Sequence, residues 1–402
     1  MTGRLQWLMP TRPLALAAAS LVLAAILGCP PDVPLETNDD DVADGIRVER
    51  ITINQGVQRT LVEDGAPATS SVPLVEGRPG LLRVFAAGEG AVVARLTFEG
   101  GDELSVETAL SASPAEADLA STINFELPGD RVAGTLRFRV ELFLDGSDEA
   151  AAVYPPEGLA EVPTDVAENV LRVRIVPYRY DADGSGRLPD TSQAALDAYR
   201  DRLLGLYPVT DVEVTVGDPR PIETAVGPDG SGWQEVGQDL YFHREAQEGA
   251  GGSVYYYGVF QPTETSAEFC AGGCLAGVTL LNAVPEDVGS PSLRMALGLG
   301  FPGVSPTGQD RTDIAAHELG HAHGVAHVDC GPGVDPGSVD ETYPHDGDTI
   351  GTWGWDIVSE ELIDPDEHTD VMGYCPDQWI SDHNYTKLAF RGRNVNEPRD
   401  AE

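Results

Sequence analysis

Apolar and polar positions alternate along much of the first 165 residues, as they do in half-buried β-strands. The clearest case is the segment 136–144, in which every even-numbered position is apolar and most odd positions are polar or charged. Similar short segments, separated by Gly-rich turns, occupy 46–53, 81–85 and 92–98. Short strands at this spacing are typical of a β-sandwich. We therefore predict an all-β sandwich over residues 46–165, an accessory domain without His or Cys.

A different pattern begins near residue 166. Apolar residues alternate in 171–175 and again in 212–216, while Ala195, Tyr199 and Leu203 between them share one face of a predicted helix. The order strand, helix, strand indicates an α/β unit. Further strands are predicted at 254–260 and 276–281. The expected fold class is multi-domain: the sandwich, then an α/β (α+β) domain over 166–402 with a mixed, mostly parallel sheet.

The first residues indicate export. Arg4 and Arg12 precede an apolar run at 14–27 that is too short for a comfortable permanent membrane span. The run ends in Ile-Leu-Gly-Cys, which resembles the bacterial lipobox, with Cys29 as the acylated residue. We predict a lipoprotein signal peptide over 1–28 and an acidic tether over 29–45. The protein would be lipid-anchored at a bacterial membrane or cell surface, or secreted if the Cys is incidental, and it would associate with a membrane only through lipid.

Charge and cysteine content narrow the choice of partner and compartment. The net charge of −41, from 25 Lys+Arg and 66 Asp+Glu, excludes nucleic acid as a partner, because phosphate binding needs a basic surface. The acidity favours solubility outside the cell, with Ca²⁺ as a second candidate ion. Four cysteines besides Cys29 suit an oxidising compartment. Of three possible pairings we favour Cys270–Cys274 with Cys330–Cys375; free thiols or a cysteine metal site are the alternatives.

Candidate chemistry is concentrated in one stretch of the last third. On a helix, His317 and His321 lie on the same face, so both imidazoles can reach one ion. Glu318 flanks that ion without having to bind it. Gly324 can end the helix in a left-handed conformation and return the chain, so that His327 approaches from another direction. Three nitrogen ligands leave one position open, which is what a catalytic zinc requires.

Other histidines are weaker candidates. A competing register pairs His323 with His327, but no Glu follows its first His. We therefore expect His323 to lie beside the ligands or at the surface. The remaining histidines are expected at the surface or in loops: His243, His345, His368 and His383.

This stretch resembles the metzincin clan of metallopeptidases, whose pattern is HExxHxxGxxH followed by a tight turn that contains Met. Asp-Val-Met-Gly-Tyr-Cys at 370–375 matches the turn. The resemblance implies a zincin/metzincin-like fold for 166–402, with Met372 as a hydrophobic floor beneath the ligands. It also implies that Tyr374 lies near zinc, as in astacins and serralysins, where this tyrosine is an extra ligand or a hydrogen-bond donor to the transition state. Val328, directly after the third His, fits none of the astacin, serralysin, matrixin or reprolysin patterns, so the branch stays open.

The combined prediction is a monomeric zinc metalloendopeptidase with one catalytic Zn²⁺, acting on extracytoplasmic proteins or peptides. A zinc-activated water would attack the peptide bond, with Glu318 as general base and Tyr374 assisting. Substrate would lie extended along an edge strand, at 276–281 or 293–301. Two alternatives remain: an inactive zincin-fold lipoprotein that binds surfaces through its β domain, and a zinc amidase that cleaves a cell-wall crosslink. The intact Glu318 argues against the first.

Overall fold

Two antiparallel sheets form the first part of the structure, a computed structural model. It describes residues 45–167, 169–249, 252–280, 282, 289–305, 308–331, 333–334 and 336–396. The predicted signal peptide, Cys29 and residues 30–44 of the tether lie outside the described residues. The first sheet has the order β3-β2-β1-β4-β7; the second has β10-β8-β5-β6, with β9 also paired to β8. The strands are β1 (Arg47–Asn54), β2 (Gln58–Glu63), β3 (Ala66–Pro67), β4 (Gly80–Ala87), β5 (Gly90–Phe98), β6 (Glu103–Leu110), β7 (Ile123–Leu127), β8 (Thr135–Leu144), β9 (Ala150–Tyr154) and β10 (Ala160–Pro163).

The inward side chains of both sheets share one apolar core. Ile51 and Val84 come from the first sheet, and Leu96 and Phe138 from the second. The alternation read from 136–144 reappears in β8, whose even-numbered residues up to Leu142 are fully buried while its odd positions stay partly exposed. The expectation of a β-rich protein with several sheets is therefore confirmed. The division at residue 165 stays a prediction.

A third, mostly parallel sheet follows, with the order β12-β11-β14-β16-β15. β13 pairs with the C-terminal end of β11. Only β15 runs antiparallel to its neighbour among these described strands. The strands are β11 (Val170–Tyr180), β12 (Asp211–Val216), β13 (Arg220–Ile222), β14 (Tyr255–Phe260), β15 (Gly277–Val278) and β16 (Met295–Leu299). The helices are α1 (Gln193–Leu206), α2 (Trp233–Glu248), α3 (Ser266–Phe269), α4 (Arg311–Ala322) and α5 (Asp382–Asn396). Two short pairs complete the list: antiparallel β17 (Gly354–Asp356) with β18 (Glu361–Ile363), and parallel β19 (Thr369–Asp370) with β20 (Gln378–Trp379).

Helices cover both faces of the third sheet. The central strand β14 is buried along its whole length, as a parallel strand covered on both sides should be. On one face of β14, Tyr255, Tyr257 and Val259 pack in a core with α1 and α4. On the other face, Tyr256 and Phe260 pack in a second core with α2. The first of these cores holds α4 against the sheet. In the described part of the chain, no helix combines the length and the apolarity needed to span a bilayer.

Several elements differ from the sequence prediction. Within the described part of the strand expected over 276–281, Gly277–Val278 forms β15. Within the segment 293–301, Met295–Leu299 forms β16, which lies between β14 and β15. β16 is therefore not an edge strand, whereas β15 lies at the edge of the sheet formed by the described strands. Helices α2 and α5 were not predicted, because their apolar positions are sparse: α5 carries Asp, His, Asn, Lys and Arg through most of its length.

Candidate active site

Helix α4 begins at a strong capping box. Asp310 caps it: Oδ1 accepts hydrogen bonds from the backbone N–H of Thr312 at 2.6 Å and of Asp313 at 3.1 Å. In return, the Asp313 carboxylate accepts the Asp310 N–H at 3.0 Å. This reciprocal arrangement satisfies two donors that a helix otherwise leaves unpaired and fixes where the helix starts. The register that follows sets His317 and His321 one turn apart on the same face.

Gly324, two residues after the last residue of α4, terminates this helix, and its φ of 89° lies in the left-handed region. The Gly324 N–H donates to the carbonyl of His321 at 2.9 Å, and the Val325 N–H donates to that of Gly320 at 3.0 Å. These two bonds are those of a Schellman motif, in which glycine accepts the positive φ at no steric cost. The chain therefore reverses directly after the helix and brings His327 back to it, as the spacing predicts.

The three imidazoles converge on one point. Nε2 of His321 lies 3.1 Å from Nε2 of His317 and 3.0 Å from Nε2 of His327. Each Nδ1 is held by an oxygen atom. Nδ1 of His317 lies 2.8 Å from Val371 O, and Nδ1 of His321 lies 2.7 Å from Val325 O. Nδ1 of His327 lies 2.8 Å from Ser338 Oγ. Outer partners of this kind fix the tautomer, so that Nε2 carries the lone pair that a metal needs.

This geometry fits a zinc ion. Burial lowers the pKa of His317 to about 4 and that of His321 well below its usual value, so both rings stay neutral at pH 7. Neutral imidazole is the form that binds a metal. With each Nδ1 proton committed to a carbonyl, the Nε2 lone pairs of these two rings face each other at 3.1 Å and repel. A cation between them turns that repulsion into attraction. Among the described residues, the triad is the only group of three or more His, Cys, Asp or Glu placed to share an ion.

Glu318 lies beside the triad in a closed environment. Its side chain is 7% exposed, and burial raises the pKa of its carboxyl to about 8. It packs against the edge strand at Gly277, where an added Cβ would lie 2.5 Å from both Cγ and Oε1 of Glu318. Glu318 follows His317 directly on α4, so the arrangement places its carboxyl beside the histidines and against the edge of the sheet.

Met372 packs directly beneath α4. Its side chain is 1% exposed, and a Cβ at Gly320 would lie 2.4 Å from Sδ. The turn is held by Asp370, whose carboxylate accepts the N–H groups of Met372 at 2.7 Å and Ser381 at 3.0 Å, and the amide of Asn384 at 2.9 Å. Neither Gly320 nor Asp370 is among the site residues predicted from the sequence. A glycine inside a helix, between two ligands, is a signal of close packing that could have identified the first.

The segment after His327 is fastened to this turn by three links. The Val328 N–H donates to Met372 O at 3.0 Å, and the Tyr374 N–H donates to Cys330 O at 2.6 Å. The third link is the disulfide Cys330–Cys375, and the second favoured disulfide, Cys270–Cys274, is also formed. Both pairings preferred from the sequence are therefore present. The third ligand and the turn beneath the triad are one connected piece.

Tyr374 lies at the open side of the triad. Its hydroxyl is 3.0 Å from Nε2 of His327, and its ring centroid is 5.5 Å from that of His317. At 40% exposure it is the most accessible of the predicted site residues. Its position allows the hydroxyl to reach a group bound beside the histidines.

The other histidines do not join the site. His323 is buried rather than at the surface: Nδ1 donates to Leu319 O at 2.7 Å, and the ring stacks on Tyr255 at 4.1 Å between centroids. The surface alternative for His323 is thus wrong. His345 and His383 contact acids, Asp382 at 2.6 Å and Asp340 at 2.8 Å. Within the described ranges, no cluster of three or more acidic side chains is placed to share a Ca²⁺ ion, so the calcium expectation has no support.

A family model described as Peptidase M66, a zinc metallopeptidase family, matches residues 295–386, the range that holds β16, α4, the triad and the Met372 turn. No curated protein matches the chain. One solved structure, "Structure of a chaperone-substrate complex", aligns at 12% identity and a TM-score of 0.28, covering 75% of this chain and 46% of that one. The chain thus spans about half the length of that structure, and so loose a likeness carries no argument. The family match and the triad together indicate a zinc-dependent peptidase.

Proposed function

We propose that the chain is a zinc-dependent endopeptidase of metzincin type that cleaves extracytoplasmic proteins or peptides. The observation that carries this proposal is the convergence of three buried or half-buried Nε2 atoms beside Glu318, at an edge strand. His317, His321 and His327 would hold the ion, and Met372 would form the floor. Bound there, zinc supplies Lewis-acid polarisation of a carbonyl and lowers the pKa of water.

The protein groups divide the remaining work. Glu318 takes a proton from the attacking water and delivers it to the leaving amine, because a carboxylate held beside the open position of the ion can accept a proton and return it. The hydroxyl of Tyr374, at the open side of the triad, donates a hydrogen bond to the carbonyl oxygen as negative charge develops on it.

The edge strand β15 supports the choice of an extended peptide as substrate. One side of β15 pairs with β16, and no strand pairs with its other side among the described residues. Unpaired backbone N–H and C=O groups at an edge can hydrogen-bond an extended peptide as an added strand. Gly277, which touches Glu318, belongs to this strand, so a peptide added there would run past the carboxylate.

The test compares casein and gelatin cleavage by the purified protein with cleavage by Glu318→Gln, each with and without a chelator. We expect zinc-dependent cleavage by the wild type and a loss of at least about 10²-fold in Glu318→Gln, since the amide cannot accept the proton. The variant should bind zinc as the wild type does, which separates loss of the base from loss of the ion. Equal rates for both proteins, or rates unaffected by the chelator, would contradict the proposal.

Export and lipid attachment belong to the same proposal. Cys29 would carry the lipid and hold the enzyme at a membrane, outside the cytoplasm. A radiolabelled fatty acid should label the wild type and leave Cys29→Ala unlabelled. Equal labelling of the two proteins would remove Cys29 from this role.

A further inference from the structure

The turn between β1 and β2 is packed into the helical part of the chain. Gly56, at the centre of this turn, has a φ of 108°, and a Cβ there would lie 3.1 Å from the ring of Tyr385 and 3.2 Å from the carbonyl of Gly205. The preceding carbonyl, Gln55 O, accepts hydrogen bonds from the Tyr385 hydroxyl at 2.5 Å and from Nε of Arg78 at 2.8 Å. The turn is therefore fixed in position against α1 and α5.

Arg78 strengthens this junction. Its side chain is fully buried, and one guanidinium nitrogen donates to the carbonyl of Leu204 at 2.7 Å, near the end of α1. A buried guanidinium is costly unless its donors are satisfied, and here carbonyls on both sides of the junction accept them. The sandwich and α1 are thus joined by hydrogen bonds that neither could make alone.

The indole of Trp379 occupies a slot bounded by three glycines, which we call the Trp379 slot: Gly56, Gly205 and Gly354. A Cβ at Gly205 would lie 3.1 Å from Cη2 of the indole, and one at Gly354 would lie 2.6 Å from Nε1. Nε1 donates to Gly56 O at 2.8 Å. The side chain is 3% exposed. The glycines thus leave room for the indole that side chains would fill, and the hydrogen bond to Gly56 O fixes the orientation of the ring in this slot.

From Trp379 a short hydrogen-bonded path leads to the metal ligand. The Val371 N–H donates to Trp379 O at 2.7 Å, and the carbonyl of Val371 accepts Nδ1–H of His317 at 2.8 Å. The parallel pairing of β19 with β20 holds these backbone segments side by side. Every link from Gly56 O to the His317 ring is therefore a direct contact between buried groups.

We propose that Trp379 is a positioning residue for His317, and that the β1–β2 turn of the sandwich thereby forms part of the support of the metal centre. If the indole shifts, the Val371 carbonyl moves with the backbone of β20, and His317 loses the partner that fixes its tautomer and orientation. The inference rests on the proposed function, since it assumes that His317 binds zinc.

The experiment measures the zinc dissociation constant of the full chain by competition with a chelating dye. Trp379→Phe removes the indole N–H, so the Val371 carbonyl beside His317 is displaced rather than lost. We expect zinc binding to weaken about 10-fold, the lower end of the cost of removing an outer partner of a metal ligand. Trp233→Phe is the matched control. Trp233 is also 3% exposed and donates Nε1–H to a carbonyl, Gly227 O at 3.1 Å, but it begins α2 and lies in a different core. Its zinc affinity should stay within about twofold of the wild type.

A milder variant guards against misfolding of Trp379→Phe. Tyr385→Phe deletes only the hydroxyl that donates to Gln55 O, and it should weaken zinc binding in the same direction by a few fold. Wild-type affinity in both Trp379→Phe and Tyr385→Phe, or an equal loss in Trp233→Phe, overturns the inference while leaving the proposed function standing. A wild-type chain that binds no zinc overturns both.

Discussion

Replacing Gly277 by alanine should disable catalysis while leaving the metal site intact. The new Cβ would lie 2.5 Å from Cγ and Oε1 of Glu318, whereas carbon atoms in contact are normally about 3.5 Å apart or more. Relieving the clash therefore requires a movement of about 1 Å. Because Glu318 is buried against the strand, we expect the carboxylate to be displaced. A 1 Å error at a catalytic group can cost about 10²-fold in rate, equivalent to about 2.7 kcal/mol.

The assay is kcat/KM on a fluorogenic peptide that the wild type cleaves, together with zinc content and unfolding midpoint. Gly272→Ala is the matched control: it lies on the loop that leads to β15, and a Cβ there meets nothing within 4 Å. Gly277→Ala should lose about 10²-fold in kcat/KM with full zinc occupancy, and Gly272→Ala should match the wild type. Full activity in Gly277→Ala would show that Glu318 does not need its present position, and the assignment of the base would have to be abandoned.

Three further predictions concern stability. Gly320→Ala, whose Cβ would lie 2.4 Å from Sδ of Met372, should lower the free energy of unfolding by about 1–3 kcal/mol through overpacking, and Met372→Ala in the same chain should recover part of the loss in urea titrations. Removing zinc with a chelator should lower the melting temperature, and zinc at 100 times its dissociation constant should restore about 2.7 kcal/mol. Preventing Cys330–Cys375 by serine substitution should cost about 4 kcal/mol, against about 2 kcal/mol for Cys270–Cys274, because the two bridges span 45 and 4 residues.

Local patterns predicted the parts of this protein that depend on local physics. Period-two alternation identified β8, and the helix period of His317 and His321 placed both rings on one face of α4. Gly324 ends that helix as its conformational freedom suggests. These features need only neighbouring residues. The ligand convergence was predictable for the same reason, since the three histidines lie within eleven consecutive residues.

The partners that hold the site in place were not predictable in this way. The Val371 carbonyl, which accepts a hydrogen bond from the His317 ring, is 54 residues away in sequence. The Gly56 carbonyl, which accepts one from the Trp379 indole, is 323 residues away. No periodicity in the sequence links such distant positions. A glycine leaves space for a neighbouring ring, but that role can be recognised only when the position of the ring is known. The same limit applies to Gly277 and Glu318, which meet only because β15 lies at the edge of the sheet next to α4.

These long-range contacts cross the domain boundary predicted at residue 165. The boundary was predicted from a change in the pattern of apolar positions, and the sandwich does have an apolar core of its own. However, the Gly56 carbonyl accepts N–H groups from both Trp379 and Trp355, at 2.8 and 3.0 Å, on the far side of that boundary. Cutting the chain there would leave these buried donors unsatisfied, at a cost of about 1–3 kcal/mol each. Val57, Val72 and Val75 also pack in the same apolar core as α4 and Met372. The division at residue 165 therefore stays a prediction, and the contacts that support the candidate metal centre cross it.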